Sequence, residues 1–269
     1  MTRILHAVAA VAVVAAAPAA AQSIGKALDA AIAGAHRSDA NKARDQYRHP
    51  KETLTFFGLK PNMTVVEISP SGGWYTEILA PVLKDKGTFY AAHSNPAASE
   101  NAAKAVANFK AKLAGNPVYS NVKVTSFGKD HYDFIAPAGS ADMVLTFRNI
   151  HNFYMGGIEK EAFKAFFKAL KPGGVLGIEE HRLPEDRPDE QMKTSGYMKV
   201  SAVRKMAEEA GFVFAGASEV NANPKDTADY PNGVWTLPPN LRLGDKDREK
   251  YVAIGESDRM TLKFVKPKK

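Results

Sequence analysis

The sequence predicts an α/β protein with a doubly wound, mostly parallel sheet of seven strands. Short runs rich in β-branched and apolar residues have the composition of buried strands. They occupy 64–68, 87–92, 122–127, 142–147, 175–178, 212–217 and 260–265. Helical patterns separate most of these runs, as at 159–170, where apolar residues recur every three or four positions. Strands that alternate with helices pair in parallel through right-handed crossovers, so a ligand is expected at the carboxyl ends of the strands.

The first residues have the pattern of a secretory signal peptide. A positive start at Arg3 precedes a short apolar run, Pro18 breaks that run, and small residues follow up to Ala21. The run is shorter than the ~20 apolar residues that a membrane-spanning helix needs, although a membrane anchor or a buried helix remains an alternative. We expect cleavage after Ala21, export to the periplasm or secretion, and no stable membrane span after cleavage.

The rest of the chain divides into an N-terminal helical extension, 22–60, and a larger α/β domain, 61–269. Within the extension, Pro50 stands where it can open a helix and Gly58 where it can end one. The polar segment 36–49 separates two helical patterns of the extension. It either covers the site or forms a solvated, salt-bridged surface.

The composition excludes several classes of function. The 269 residues carry 36 Lys and Arg against 29 Asp and Glu, a formal net charge of +7 at pH 7. The lysines are scattered, whereas nucleic-acid binding needs clustered basic residues with interleaved aromatics, so we expect no nucleic-acid partner. Cysteine is absent, which excludes disulfides, thiolate nucleophiles and cysteine-based metal sites.

A strand, an acidic residue, a tight loop and a helix follow one another at the start of the α/β domain. Glu67 lies near the end of the first strand, and the loop contains Ser69, Ser71, Gly72 and Gly73. Small residues let a ligand approach the backbone closely, and the next helix offers free N–H groups and a partial positive charge. A glycine turn of this kind can also be only a tight connection between strand and helix.

This loop resembles the first motif of class I S-adenosylmethionine-dependent methyltransferases, an acid followed by spaced glycines. Segments 141–152, 170–176 and 201–214 resemble later motifs of that family, in the same order. The stretch from Glu67 into the following helix is also similar to a narrower group of exported bacterial proteins described as predicted methyltransferases. The resemblance implies a Rossmann-like methyltransferase fold, S-adenosyl-L-methionine as cofactor, and methyl transfer to an unidentified small-molecule acceptor.

The resemblance also implies roles for the residues that follow the strands. Glu67, Ser69, Ser71, Gly72 and Gly73 would hold the methyl donor, and His93 and Asn95 would contact its ribose. The residues that would face the acceptor, and so carry the chemistry, are Arg148, Asn149, His151 and Asn152.

Two histidines that follow strands, His151 and His181, could act as a general base, because the pKa of histidine lies close to neutrality. Glu180 and His181 also carry metal-ligating atoms. Neighbouring residues on a strand point to opposite faces, however, so we expect no metal site.

Two departures from the family pattern leave an alternative open. Ser69 and Ser71 stand where glycines are usual, and His93-Ser94-Asn95 replaces the acid that ends the second strand. Together with the expected export, these departures allow a non-catalytic envelope binding protein that retains the fold. A nicotinamide-dependent oxidoreductase is a weaker alternative, because the G-x-G-x-x-G fingerprint is missing.

The signal peptide leads to a direct prediction. The purified exported protein should begin at Gln22, because the small residues before it fit a signal-peptidase site. N-terminal sequencing measures this, and a chain that still begins at Met1 in the exported fraction would contradict it.

Overall fold

A computed structural model describes the backbone of residues 19–268 and the side chains of residues 24–268. The predicted signal peptide, 1–21, lies outside the described residues except at its end. Within the described part of the chain, no helix is long and apolar enough to cross a membrane.

Seven strands form one sheet, as the sequence predicts. They are β1 Thr64–Ile68, β2 Thr88–Ser94, β3 Val122–Phe127, β4 Ala141–Phe147, β5 Leu170–His181, β6 Val213–Ser218 and β7 Arg259–Val265. Their order in the sheet is β3-β2-β1-β4-β5-β7-β6. Strands β1 to β5 pair in parallel, and β7 inserts antiparallel between β5 and β6.

The order of the strands reverses at β1 and β4. The chain passes from β1 outward to β2 and β3, then returns to place β4 on the other side of β1. The connections that leave the carboxyl ends of β1 and β4 therefore diverge to opposite sides and open a crevice between them. The predicted loop after β1 and the predicted acceptor segment after β4 both border this crevice.

Ten α-helices are present in the described residues. They are α1 Ala19–Ala33, α2 Asp39–Lys42, α3 Asp45–Arg48, α4 Pro50–Phe57, α5 Thr76–Leu83, α6 Glu100–Ala114, α7 Ile150–Met155, α8 Glu159–Ala169, α9 Val200–Glu209 and α10 Arg248–Ile254. Apolar residues fill a core on each face of the sheet. Val66 and Val144 point into one core and their neighbours Val65 and Met143 into the other, as the two-residue period of a strand requires.

The N-terminal extension is part of one of these cores. Helix α1 packs against α4 and α5, and Leu28, Leu54 and Phe57 are fully buried there. Pro50 opens α4, and Gly58 ends it with a φ of 86°. The Phe57 ring lies directly over Gly177 of β5, so the extension closes one face of the sheet near its centre.

Three local expectations were wrong or incomplete. Ser201 stands at the start of a helical pattern and is a residue type that favours an N-cap. It is not the N-cap, because α9 begins one residue earlier and Ser201 donates its hydroxyl to Glu185 instead. Strand β5 starts at Leu170, since the turn at 171–174 continues the strand through a glycine with a φ of 80°. Helices α2, α3, α7 and α10 are absent from the expectations, because each is only four to seven residues long and too short to show a helical period.

The contact between Phe57 and Gly177 leads to a stability prediction. A Cβ at residue 177 would lie 2.7 Å from the Leu145 side chain and 2.8 Å from the Phe57 ring. Gly177→Ala should therefore lower the free energy of unfolding by about 1–3 kcal/mol through overpacking. Gly25→Ala is the matched control, because nothing lies within 4 Å of its added Cβ and alanine favours a helix. Urea unfolding measures both, and equal effects of the two substitutions would contradict this packing.

Candidate functional site

The loop after β1 takes an unusual backbone course. Ser69 and Ser71 have φ values of 50° and 55°, and Gly73 has 82°. Ser69 N donates to Ala92 O of β2 at 2.8 Å, and Gly73 N donates to Pro70 O at 2.8 Å. A side chain in the left-handed region costs roughly 1–2 kcal/mol. Both serines thus adopt a left-handed backbone conformation that favours glycine, so the loop has this shape at some cost in stability.

Two cavities flank this loop. One has a volume of about 460 Å³ and lies between the loop, the end of β4 and the N-terminal extension. We call it the inner cavity. The other has a volume of about 630 Å³ and lies between the loop, the end of β2 and α6. We call it the outer cavity. The residues common to both linings are Ser69, Ser71, Gly72, Asn149 and Asn152.

An elongated ligand can lie across the loop with one end in each cavity. Gly72 is central to this arrangement, because nothing lies within 4 Å of a Cβ built on it. Gly73 is different, since a Cβ there would come within 3.0 Å of Phe109. The loop therefore offers open backbone at Gly72, and Gly73 supplies the turn into α5.

Glu67 lies at the base of the inner cavity and is 2 % exposed. Thr76 donates its hydroxyl to the Glu67 carboxylate at 2.6 Å. Burial raises the pKa of Glu67 to about 7, although the Thr76 hydrogen bond and the charges of Lys112 and Arg148 oppose the shift. At neutral pH this carboxyl group can therefore either accept or donate a hydrogen bond toward a ligand.

His93 and Asn95 are placed differently from each other. His93 lines the outer cavity, but its Nε2 contacts Ser71 O at 3.2 Å and its Nδ1 accepts from Ser94 N at 2.7 Å. Burial lowers the pKa of His93, so the ring is neutral and holds the loop against β2. The Asn95 side chain accepts from Ala97 N and caps a short turn, and Asn95 is not in the lining of either cavity.

The residues after β4 lie at the crevice, as the sequence predicts. Arg148 has a φ of 59°, and its guanidinium donates to Glu179 at 2.9 Å. The Asn149 amide donates to Ile68 O at 3.1 Å and so connects the ends of β1 and β4. Asn152 is exposed on α7 and faces both cavities. The backbone thus brings all four predicted acceptor-facing residues to one edge of the sheet.

His151 forms a buried pair with Glu180. The Nδ1 atom of His151 lies 2.9 Å from the Glu180 carboxylate, which also accepts from the backbone N atoms of His151 and His181. A carboxylate at Nδ1 favours the tautomer that carries its proton there, which leaves Nε2 as a proton acceptor. Because His151 lines the inner cavity, its free nitrogen is available to a ligand there.

His181 lies beside His151 and Glu180, although the alternation of side chains along a strand predicts that Glu180 and His181 point to opposite faces. The ligand atoms of His151, Glu180 and His181 all lie within 4.8 Å of one another, because β5 ends at His181 and α7 approaches from the side. Two imidazoles and a carboxylate can bind zinc. Burial, then the charges of His151 and Arg259, lower the pKa of His181 well below its usual value. The surrounding positive charge opposes a cation and favours a hydrogen-bonded base.

The polar segment of the extension covers the inner cavity. Arg37 and Arg48 are each 3 % exposed, so the interpretation of this segment as a solvated surface was wrong for both. The guanidiniums of Arg37 and Arg48 lie 5.0 and 4.7 Å from the Trp74 ring centroid, and Trp74 donates its indole N–H to Asn41 O. Desolvation makes such cation–π contacts favourable.

Tyr75 and Glu179 join the start of α5 to the sheet beside the cavity. The Tyr75 ring stacks on Phe147 with centroids 3.5 Å apart, and its hydroxyl donates to Glu179 at 2.8 Å. Burial alone would raise the pKa of Glu179, but Arg148, Arg259 and other nearby guanidiniums hold it below its usual value. Glu179 is therefore a buried anion behind the residues that line the inner cavity.

One wall of the inner cavity comes from a segment for which the sequence predicted no role in the site. Val234, Trp235, Pro238, Pro239 and Asn240 line it. The Trp235 ring lies 6.1 Å from the His151 ring. The sequence did offer one indication of this wall, a tryptophan among prolines in a stretch without helical or strand periodicity. Binding residues often lie on loops of this kind.

The fold and this crevice define a Rossmann-like methyltransferase architecture, and solved structures agree. A SAM-dependent methyltransferase from Aquifex aeolicus is 16% identical, with a TM-score of 0.57 over 91% of this chain and 98% of that chain. A phosphoethanolamine N-methyltransferase 2 from Haemonchus contortus, solved with S-adenosyl-L-methionine, is 16% identical, with a TM-score of 0.51 over 82% of this chain and 53% of that one.

The same fold also occurs in a protein named for a different reaction. The [4+2]-cyclase SpnF is 16% identical to this chain, with a TM-score of 0.55 over 87% of this chain and 85% of that one. No protein-family model and no curated protein sequence matches the chain. Likeness at this level of identity establishes the fold, and function has to be argued from the site.

The buried Glu67 leads to a pH prediction. Its pKa is about 7 in the folded chain against an ordinary 4.5, so between these pH values the folded chain keeps a proton that the unfolded chain loses. This makes the free energy of unfolding fall as pH rises, by about 3 kcal/mol for this one group. Glu67→Gln removes the titration and keeps an acceptor for Thr76. Between pH 4.5 and 8, the free energy of unfolding of the variant should therefore rise by about 3 kcal/mol relative to that of the parent.

Urea unfolding at a series of pH values measures this difference. Glu208→Gln is the control, because Glu208 is exposed on α9 and should show the parent's pH dependence. A Glu67→Gln variant whose stability follows the parent's at every pH would show that Glu67 ionises normally in the fold.

Proposed function

We propose that the protein is a class I S-adenosylmethionine-dependent methyltransferase that acts on a small-molecule acceptor. The observation that carries this proposal is the left-handed loop after β1, with a cavity on each side and open backbone at Gly72. The order of the strands and the likeness to methyltransferase structures support it. The acceptor itself is not named by any of these features.

The residues present suit S-adenosyl-L-methionine. The centre of the cofactor would lie against Ser71 and Gly72. Its adenosine would occupy the outer cavity, and its methionine part would lie near Glu67. When bound, this cofactor supplies an electrophilic methyl group on a positively charged sulfonium. Ser94, rather than an ionised acid, stands at the end of β2 for the ribose hydroxyls, and a neutral hydroxyl makes a weaker hydrogen bond than a carboxylate.

In this proposal His151 is the general base. Glu180 orients its ring and stabilises the positive charge that forms when Nε2 accepts a proton from the acceptor. The four residues after β4 position the acceptor against the loop, and α7 holds two of them, His151 and Asn152. In-line attack depends chiefly on such positioning, which the residues around the inner cavity would provide.

We further propose that the mature protein works in the periplasm or outside the cell, as part of the exported group that its sequence resembles. The support is the N-terminal signal pattern and the absence of cysteine, which suits an oxidising compartment. Export also sustains the alternative of a non-catalytic envelope binding protein with this fold. The placement of His93 and Asn95 favours that alternative, because both ring nitrogens of His93 have partners within the fold and Asn95 lines neither cavity.

Binding of S-adenosylhomocysteine, the product of methyl transfer, tests this function. We expect saturable binding to the purified chain by isothermal titration calorimetry. Gly72→Leu should weaken it by about tenfold or more, because the new side chain fills the open space over the loop without a clash inside the fold. Gly25→Leu is the matched control, since nothing lies within 4 Å of its Cβ and it is remote from both cavities.

The alternative makes the opposite prediction for the same titration. A folded parent chain that shows no saturable binding would overturn the methyltransferase proposal and support the binding protein. Urea unfolding of both leucine variants confirms that each is folded before the titrations are compared.

A further inference from the structure

Four arginines line the inner cavity. Arg44 and Arg48 come from the extension, Arg148 follows β4, and Arg259 begins β7. Most of these residues are distant in sequence, and the fold gathers them around one cavity. Such a concentration of guanidiniums at a cavity wall is costly unless carboxylates or a ligand compensate for it.

Glu256 compensates for part of this charge. It accepts from the Nε atoms of Arg44 and Arg48 at 2.5 and 3.1 Å, and from a terminal nitrogen of Arg259. Burial alone would raise the pKa of Glu256, but these arginines hold it far below its usual value. Glu256 is therefore an anion at any physiological pH.

Glu179 is the second compensating carboxylate. Arg148 donates to it at 2.9 Å, and a terminal nitrogen of Arg259 lies 3.5 Å from it. Two other carboxyl groups lie nearby, but Glu180 is occupied by His151 and two backbone amides, and the Glu67 pKa of about 7 leaves that group only partly ionised. The arginines therefore outnumber the carboxylates that pair with them.

The surplus charge faces the cavity. Among the described residues, the hydrogen bonds of Arg44 and Arg48 to side chains use only the Nε atoms, so the terminal nitrogens of both are left for a ligand. The Nε atom of Arg259 is buried with no hydrogen-bond partner in the described part of the chain. Burial, and then repulsion from Arg148, lower the pKa of Arg48 well below its usual value. An anion in the cavity would relieve both strains.

The proposed cofactor cannot be that anion, because its net charge is positive. Its methionine part carries one carboxylate and one ammonium, and the sulfonium adds a further positive charge. With the cofactor in place the cavity is more positive than before, so the charge must be balanced by the other substrate. A neutral or cationic acceptor would leave the guanidiniums uncompensated.

On these grounds, and resting on the proposed function, we infer that the acceptor is a small anion whose carboxylate or phosphate group is bound by Arg44, Arg48 and Arg148. A guanidinium presents two parallel N–H groups that match the oxygens of such a group. The anionic end would lie under the extension, and the methyl-accepting atom would lie toward His151 in the same cavity. The extension is then a specificity element of the site.

The experiment titrates inorganic phosphate and malonate separately into the chain saturated with S-adenosylhomocysteine, at constant ionic strength. We expect saturable binding of at least one of them, and the better of the two identifies the preferred oxyanion. Arg44→Gln should weaken this binding by about tenfold or more. Arg48→Lys keeps the charge but removes the fork, and it should also weaken binding. Arg204→Gln is the control, because Arg204 pairs with Glu208 on the outer face of α9.

A second pair of ligands tests whether the arginines bind the acceptor or the carboxylate of the cofactor. S-adenosylhomocysteine has an amino-acid end, whereas methylthioadenosine lacks it. If the arginines bind the acceptor, Arg44→Gln leaves the affinity for both within about twofold. If Arg44→Gln weakens S-adenosylhomocysteine but not methylthioadenosine, the arginines hold the cofactor and the inference is wrong.

The remaining outcomes also decide between the two proposals. If neither phosphate nor malonate binds saturably in the presence of S-adenosylhomocysteine, the inference of an anionic acceptor is wrong and the proposed methyltransferase function is unaffected. If S-adenosylhomocysteine itself does not bind, the proposed function falls and the acceptor role falls with it. The oxyanion titrations on the chain alone then show whether the arginines form an anion site of another kind.

Discussion

The buried carboxylate of Glu179 is the interaction on which the rest of the site depends. It lies near the end of β5 with no exposed surface, and it accepts from Tyr75 and from Arg148. Arg259 approaches it from β7. These donors come from the start of α5, the end of β4 and the start of β7, so one anion holds three segments around the inner cavity. A buried charge of this kind is tolerated only when its partners are in place, which makes the arrangement all-or-none.

The N-terminal extension gains its role through the same electrostatics. Its apolar side is part of the core, with Phe57 against Gly177, whereas its polar segment brings Arg44 and Arg48 to Glu256. The extension is therefore joined to the sheet by apolar packing on one side and by ion pairs on the other. It closes a crevice that the strand order alone would leave open, and it concentrates positive charge there. Because Arg48 is almost fully buried, its charge interacts more strongly than it would in bulk water.

The loop after β1 shows how a backbone shape can persist through a change of residue type. Serines at two positions adopt positive φ values, because Ser69 is held by β2 and His93 holds Ser71. The histidine and the serines are thus linked: His93 supports the loop that the serines strain. The departures from the family pattern at these positions form one structural unit, and Ser94 beside them remains open to the outer cavity.

The sequence alone determined the sheet, the crevice and the two segments that border it. Alternation of strand and helix patterns is local, and the carboxyl ends of parallel strands must meet at one edge, so Glu67, Asn149 and His151 could be placed together in advance. Only the tertiary structure decided which charges meet. Arg48 and Glu256 lie 208 residues apart in the chain, and Glu180 reaches His151 only because β5 ends there. No local pattern encodes such pairs, since burial and distance arise only when the whole chain has folded.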